Sequence, residues 1–118
     1  MDKKRILLVD DEESIQLLYR EEFEDEGYAV DSAYNGAEAL AKFRQTPPDL
    51  VVLDINMPGM NGIEVLRQMK ELRGDLPTIL SSAYHEYKQD FGSWASEAYV
   101  VKSANMDELK ATIRTHLS

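Results

Sequence analysis

The sequence predicts an α/β domain built on a doubly wound parallel sheet of five strands. Three observations predict it. Short apolar runs rich in Val, Ile and Leu recur along the chain, as suits strands buried on both faces. Amphipathic helical stripes lie between them. The two patterns alternate strictly, which points to parallel strands joined by right-handed crossovers. The 118 residues are a prior for one domain. Apolar residues make up 43% and charged residues 30%, the usual balance of a globular chain.

The first strand is Ile6-Leu7-Leu8-Val9. The first helix follows, with Ile15, Leu18, Tyr19 and Phe23 at i, i+3, i+4 and i+8, and Gly27 is placed to end it. Tyr28-Ala29-Val30 is a weaker second strand. Asn35-Gly36 reads as a turn before the second helix, where Leu40 and Phe43 share a face with Ala37 and Ala41 beside Leu40. Pro47-Pro48 must interrupt helix before the third strand, Leu50-Val51-Val52-Leu53. Ile63, Leu66 and Met69 mark the third helix, and Thr78-Ile79-Leu80 the fourth strand. A fourth helix over Tyr84 to Ser96 is expected to be short or irregular. Gly92 lies in its middle and costs about 1 kcal/mol relative to Ala in a helix. Tyr99-Val100-Val101 is the fifth strand. Met106, Leu109, Ile113 and Leu117 form the last helix, with Asn105 and Glu108 at the spacing of an N-cap and its partner. Five strands with helices on both faces make a flavodoxin-like sheet of order 2-1-3-4-5.

Composition removes several classes of function. Cysteine is absent, so there is no disulfide framework, Cys-based zinc site or thiol nucleophile. No apolar run approaches the roughly 18 residues of a membrane span. The basic start, Met1 to Arg5, precedes only four apolar residues, too few for a signal peptide, so a cytoplasmic location and no membrane contact are expected. Asp and Glu total 22 against 13 Lys and Arg, a net charge of −9. An acidic surface repels phosphate backbones, so no direct nucleic-acid binding is expected.

The strand ends carry the chemistry. The first run ends in Asp10-Asp11, the third in Asp54, the fourth in Ser81-Ser82 and the fifth in Lys102. In a parallel sheet these ends line one edge, where open α/β sheets bind ligands. Taken singly, a strand-end Asp is ordinarily a helix cap or turn residue, and a strand-end Lys a solvated charge. Their joint occurrence at one edge favours a site. Three close carboxylates repel one another, and a hard divalent cation such as Mg²⁺ or Mn²⁺ relieves this. A metal, an ammonium and a hydroxyl together can receive a phosphoryl group, with a carboxylate as nucleophile.

At these residues the chain resembles the receiver domain of two-component response regulators, the family of the chemotaxis regulator. The resemblance rests on Val9-Asp10-Asp11-Glu12, Asn35-Gly36-Ala37-Glu38-Ala39-Leu40, Pro48 to Asp54, Met57-Pro58-Gly59-Met60-Asn61-Gly62, Ser82-Ala83 and Ala98 to Lys102, in order and spacing. It implies roles. Asp54 is the phospho-acceptor, charged by a sensor histidine kinase or a histidine phosphotransfer protein. Asp11 binds Mg²⁺ directly, Asp10 through water, and Asn56 through its backbone carbonyl. Lys102 contacts the phosphate oxygens, Ser82 moves to hydrogen-bond them, and Tyr99 rotates inward behind it. Phosphorylation adds about −1.5 to −2 charges. The surface of the fourth helix, fifth strand and fifth helix then repacks for a downstream effector or a fused output domain.

The sequence also departs from the family. Ser103 stands where Pro is usual, so a trans Lys102-Ser103 bond is expected. The stretch from Ser82 to Tyr99 is about two residues shorter than usual, and Trp94-Ala95-Ser96 replaces the usual Gly before the fifth strand. Tyr84, two beyond Ser82, is expected to slow phosphate hydrolysis, and Asn56 and Tyr84 are the positions expected to tune it. No enzyme activity beyond weak self-phosphorylation and self-dephosphorylation is expected. The alternative is a pseudo-receiver, a binding module that is not phosphorylated. A phosphohydrolase is disfavoured by Asn56 where an acid is needed, and a flavin site by Asp10-Asp11 where a phosphate needs donors. Residues 1–118 are expected to be one receiver domain with nothing left over for an effector.

Overall fold

The computed structural model describes residues 3–54, 62–82, 98–101 and 106–117. Five strands, β1 (Arg5–Val9), β2 (Ala29–Ala33), β3 (Leu50–Asp54), β4 (Thr78–Ser82) and β5 (Ala98–Val101), form one sheet. Its order is β2-β1-β3-β4-β5, and every neighbouring pair is parallel. Helices α1 (Glu13–Asp25), α2 (Gly36–Gln45), α3 (Gly62–Leu72) and α4 (Asp107–Leu117) connect or follow the strands. The predicted sheet is therefore correct in topology. The expected helix over Tyr84 to Ser96, the Lys102-Ser103 bond and the Asn105 cap lie outside the described residues.

Alternation along the strands splits the core into two layers. Leu7, Val9, Val51, Leu53 and Leu80 pack with α2 and α3 through Ala39, Leu40, Phe43, Val65, Leu66 and Met69. Ile6, Leu8, Leu50, Val52 and Ile79 pack on the other face with Tyr19 and Phe23 of α1 and with Leu109 and Ile113 of α4. Successive strand residues point to opposite faces, so apolar runs without alternation feed both layers. β2 is one of the two edge strands and carries Asp31 and Ser32. Arg5 pairs with Asp31 at 3.1 Å, and the Lys42 ammonium donates to the Ser32 carbonyl. Charged and polar groups on an edge discourage further strand pairing. The strand runs Ala29–Ala33, further than the Tyr28-Ala29-Val30 expected from the sequence.

Two apolar stripes are corrected. In α1, Leu18 is 43% exposed, and the buried positions are Gln16, Tyr19 and Phe23. At about 100° per residue, Gln16 and Phe23 both lie within about 60° of Tyr19 on one side, while Leu18 lies about 100° away on the other. In α2 the buried alanine is Ala39, and Ala37 and Ala41 are exposed.

Helix ends follow local chemistry. Gly27 has φ 95°, and its N–H donates to the Glu24 carbonyl at 3.0 Å while Tyr28 donates to Phe23 at 3.1 Å. This is a Schellman ending, with Gly at the left-handed position. At α2, Asn35 is the N-cap rather than only a turn residue: its Oδ1 accepts from the Glu38 N–H at 2.8 Å. Glu38 in turn accepts from the Tyr34 N–H at 2.6 Å. Asn35→Ala is expected to cost about 1 kcal/mol in urea unfolding, since it leaves a first-turn donor without its partner.

Candidate functional site

The carboxyl edge of the sheet is assembled by register. Val9 pairs with Leu53, so Asp10 and Asp54 stand level, one residue beyond that pair, at the ends of neighbouring strands. Adjacent strands lie about 4.8 Å apart, which makes the two acids close neighbours. Both are buried, Asp10 at 2% exposure and Asp54 at 3%. Leu50 and Val52 face α1 and α4, so alternation puts Asp54 on that same face. Asp54 pairs with Ser81, which is also buried. Ser82 comes one residue later and pairs with Val101, whose next residue in sequence is Lys102. Tyr99 pairs with Leu80.

The loop from β1 to α1 is ordered by its own hydrogen bonds. The Asp10 carboxylate accepts from the Glu12 N–H at 2.9 Å. Glu12 then accepts, through its carbonyl, the Gln16 N–H at 3.0 Å. The Asp10 N–H donates to the Ala33 carbonyl at 3.0 Å, which extends the β1–β2 ladder by one step. Asp10, Asp11 and Glu12 each offer a carboxylate oxygen within 4.8 Å of the others, Asp10 buried and the other two exposed. Asp54 is outside that group but level with Asp10 on the neighbouring strand. An all-oxygen donor set with no His or Cys suits a hard divalent cation and not zinc, so these residues fit Mg²⁺.

Of the residues the sequence pointed to, the structure brings Asp10, Asp11, Asp54 and the backbone of Ser82 to one edge, while the backbone of Tyr99 lies one row inside it, level with Leu80, Leu53 and Val9. Asn56, Tyr84, Lys102 and the Met57-Pro58-Gly59 turn lie outside the described residues. Two residues were missed. Glu12 joins the acid group, and its place directly after Asp11 was the available signal. Gln16 is 1% exposed on α1, and its i, i+3, i+7 spacing with Tyr19 and Phe23 was the signal. Among the described residues no helix is long and apolar enough to cross a membrane.

A doubly wound sheet with paired acids at its carboxyl edge defines a class of phosphoryl- or metal-handling α/β domains. The response regulator receiver domain model matches residues 6–114. The chain belongs to that family, the phospho-acceptor switches of two-component signalling. It is 35% identical to sporulation initiation phosphotransferase F of Bacillus subtilis, over 99% of this chain and 96% of that protein. Among solved structures it resembles the response regulator TrrA of Thermotoga maritima in complex with Mg²⁺-BeF. The TM-score is 0.92 at 50% identity, covering 97% of this chain and 99% of that one. It also resembles the complex of the histidine kinase ThkA with TrrA, with a TM-score of 0.90 at 50% identity, covering 98% and 99%. Other curated relatives are longer, and the chain spans 44%, 25% and 49% of three of them.

Proposed function

We propose that residues 1–118 form one receiver domain that takes a phosphoryl group onto Asp54 from a phosphohistidine. The donor is a sensor histidine kinase or a histidine phosphotransfer protein. The observation that carries the reading is the burial of Asp54 beside Asp10 at the sheet edge, next to the acid loop. A carboxylate held there is a nucleophile in a partly desolvated setting. Its oxygen forms the new P–O bond, the P–N bond to the donor imidazole breaks, and that nitrogen leaves as neutral histidine.

Asp10, Asp11, Asp54 and the Asn56 carbonyl would hold Mg²⁺, and Mn²⁺ suits the same oxygen donors. Bound there, the ion would neutralise charge on the acids and on the transferring oxygens. Lys102 and Ser82 are the groups for the phosphoryl oxygens, and Tyr99 fills the space that Ser82 leaves. Asn56 and Tyr84 tune hydrolysis, so any catalysis is self-phosphorylation and slow self-dephosphorylation. Output passes through the surface of β5 and its flanking helices, to an effector protein or to a fused domain of the kind longer relatives carry. The setting is cytoplasmic, away from membrane and nucleic acid.

The test is incubation with acetyl phosphate and Mg²⁺, read by intact mass. A gain of one HPO₃ that disappears in EDTA and maps to Asp54 is the expected result. No gain, together with unchanged spectra on adding beryllofluoride, would mean a pseudo-receiver instead.

A further inference from the structure

We infer that Gln16 is a positioning residue for the metal loop: its side-chain amide fixes the Asp10-Asp11 peptide and so sets where the Asp11 carboxylate stands. The inference rests on the Mg²⁺ reading proposed above and assigns that site a residue outside the acid set.

The side chain reaches back from the second turn of α1 to the end of β1. Its Nε2 lies 3.2 Å from the Leu8 carbonyl, 3.0 Å from that of Asp10 and 2.9 Å from that of Ala33. One amide therefore ties three backbone oxygens from two strands. A glutamine amide has only two hydrogens, so three acceptors share them. The opposite orientation of the amide would set its oxygen against three carbonyl oxygens, so the surroundings fix the orientation. The cost is visible at the other atom. Gln16 Oε1 is buried and has no hydrogen-bond partner among the described residues. An apolar side chain of the same size would seat α1 on the sheet without that orphan. What an apolar side chain cannot do is hold the Asp10 carbonyl.

That carbonyl belongs to the peptide that carries the Asp11 N–H. Asp10 is held at its N–H by Ala33, at its carboxylate by the Glu12 N–H and at its carbonyl by Gln16. Gln16 itself is tied to Glu12 through its own N–H. The loop between Asp10 and Gln16 is thus closed on both sides, with exposed Asp11 between the ties. Ligand groups held in place before the ion arrives lose less freedom on binding.

The experiment compares Mg²⁺ affinity by calorimetry in the wild type, in Gln16→Met and in Ile113→Val. Met is unbranched and similar in length but has no donor. Ile113 is a fully buried control on α4, in the same core layer and outside the acid loop. Gln16→Met should bind Mg²⁺ at least fivefold more weakly, while Ile113→Val stays within twofold of wild type. Raising Mg²⁺ should restore the acetyl phosphate rate of Gln16→Met to the wild-type value. An affinity within twofold of wild type in Gln16→Met would reduce Gln16 to a packing residue and overturn the inference. If Gln16→Met does not fold, the wild-type side-chain NH₂ resonances of Gln16 decide. Slow hydrogen exchange and a shift on Mg²⁺ addition support the role, and exchange as fast as an exposed amide rejects it. A wild type that binds no Mg²⁺ would remove the metal reading itself, and this inference with it.

Discussion

Replacing Asp54 with Asn is expected to abolish phosphoryl uptake from acetyl phosphate and, in EDTA, to raise the melting temperature by about 4 °C. The first effect follows from chemistry. Asn has nearly the same shape, but its amide oxygen is a poor nucleophile compared with a carboxylate. The second follows from electrostatics. Asp10 and Asp54 are both almost fully buried, each one residue beyond the Val9–Leu53 pair on neighbouring strands. Two like charges there repel more strongly than in water, and removing one relieves on the order of 1 kcal/mol. The advantage should shrink as Mg²⁺ is added, because an ion that binds only the folded wild type stabilises it by mass action. Intact mass and thermal melts with and without Mg²⁺ check both effects. An HPO₃ gain retained in Asp54→Asn would move the acceptor elsewhere. Equal melting temperatures in EDTA would mean that the acids are already compensated without metal.

The strand edges were legible because the sequence stops being apolar there. Val9 to Asp10 and Leu53 to Asp54 are the points where two runs end, and a parallel sheet converts those ends into one line. The Schellman ending at Gly27 was legible for a similar reason: a local backbone need selects one residue type. Helix faces were less so. Leu18 fits a spacing rule with Ile15 and Gln16 fits one with Tyr19, and hydropathy favours the leucine. The structure chose the glutamine, because its partners are carbonyls of residues 8, 10 and 33, which only the folded sheet brings together. Ala39 against Ala37 and Ala41 is the same ambiguity in α2, since small residues carry little hydrophobic signal about which side faces inward. Asn35 reads as a turn residue in the sequence because a cap and a turn use the same side-chain chemistry. The acid loop itself was readable as Asp10-Asp11, but its closure through Gln16 was not.

Phe23→Ala is expected to lower unfolding free energy by about 3–5 kcal/mol while leaving the Mg²⁺ affinity of the folded protein unchanged. Phe23 is fully buried in the layer shared by α1 and α4, with its ring centroid 5.8 Å from that of Tyr19. Its carbonyl also accepts the Tyr28 N–H that closes the helix. Truncation therefore leaves a cavity under the end of α1, which the surrounding side chains fill only in part. The ion pairs from Lys110 to Glu22 and from Arg114 to Glu26 span the same two helices, but they are solvent-accessible and screened. They cannot replace a lost core ring. Phe23 lies seven residues beyond Gln16, about 10 Å along the axis of α1, so the acid loop keeps its ties when this end loosens. Urea titration should show the midpoint falling by more than about 1 M. Calorimetry below the transition should show Mg²⁺ binding within twofold of wild type. One helix would then carry two separable tasks, anchorage at its C-terminal half and loop closure at its start. A Phe23→Ala protein that lost stability and metal affinity together would instead tie the acid loop to the whole length of α1.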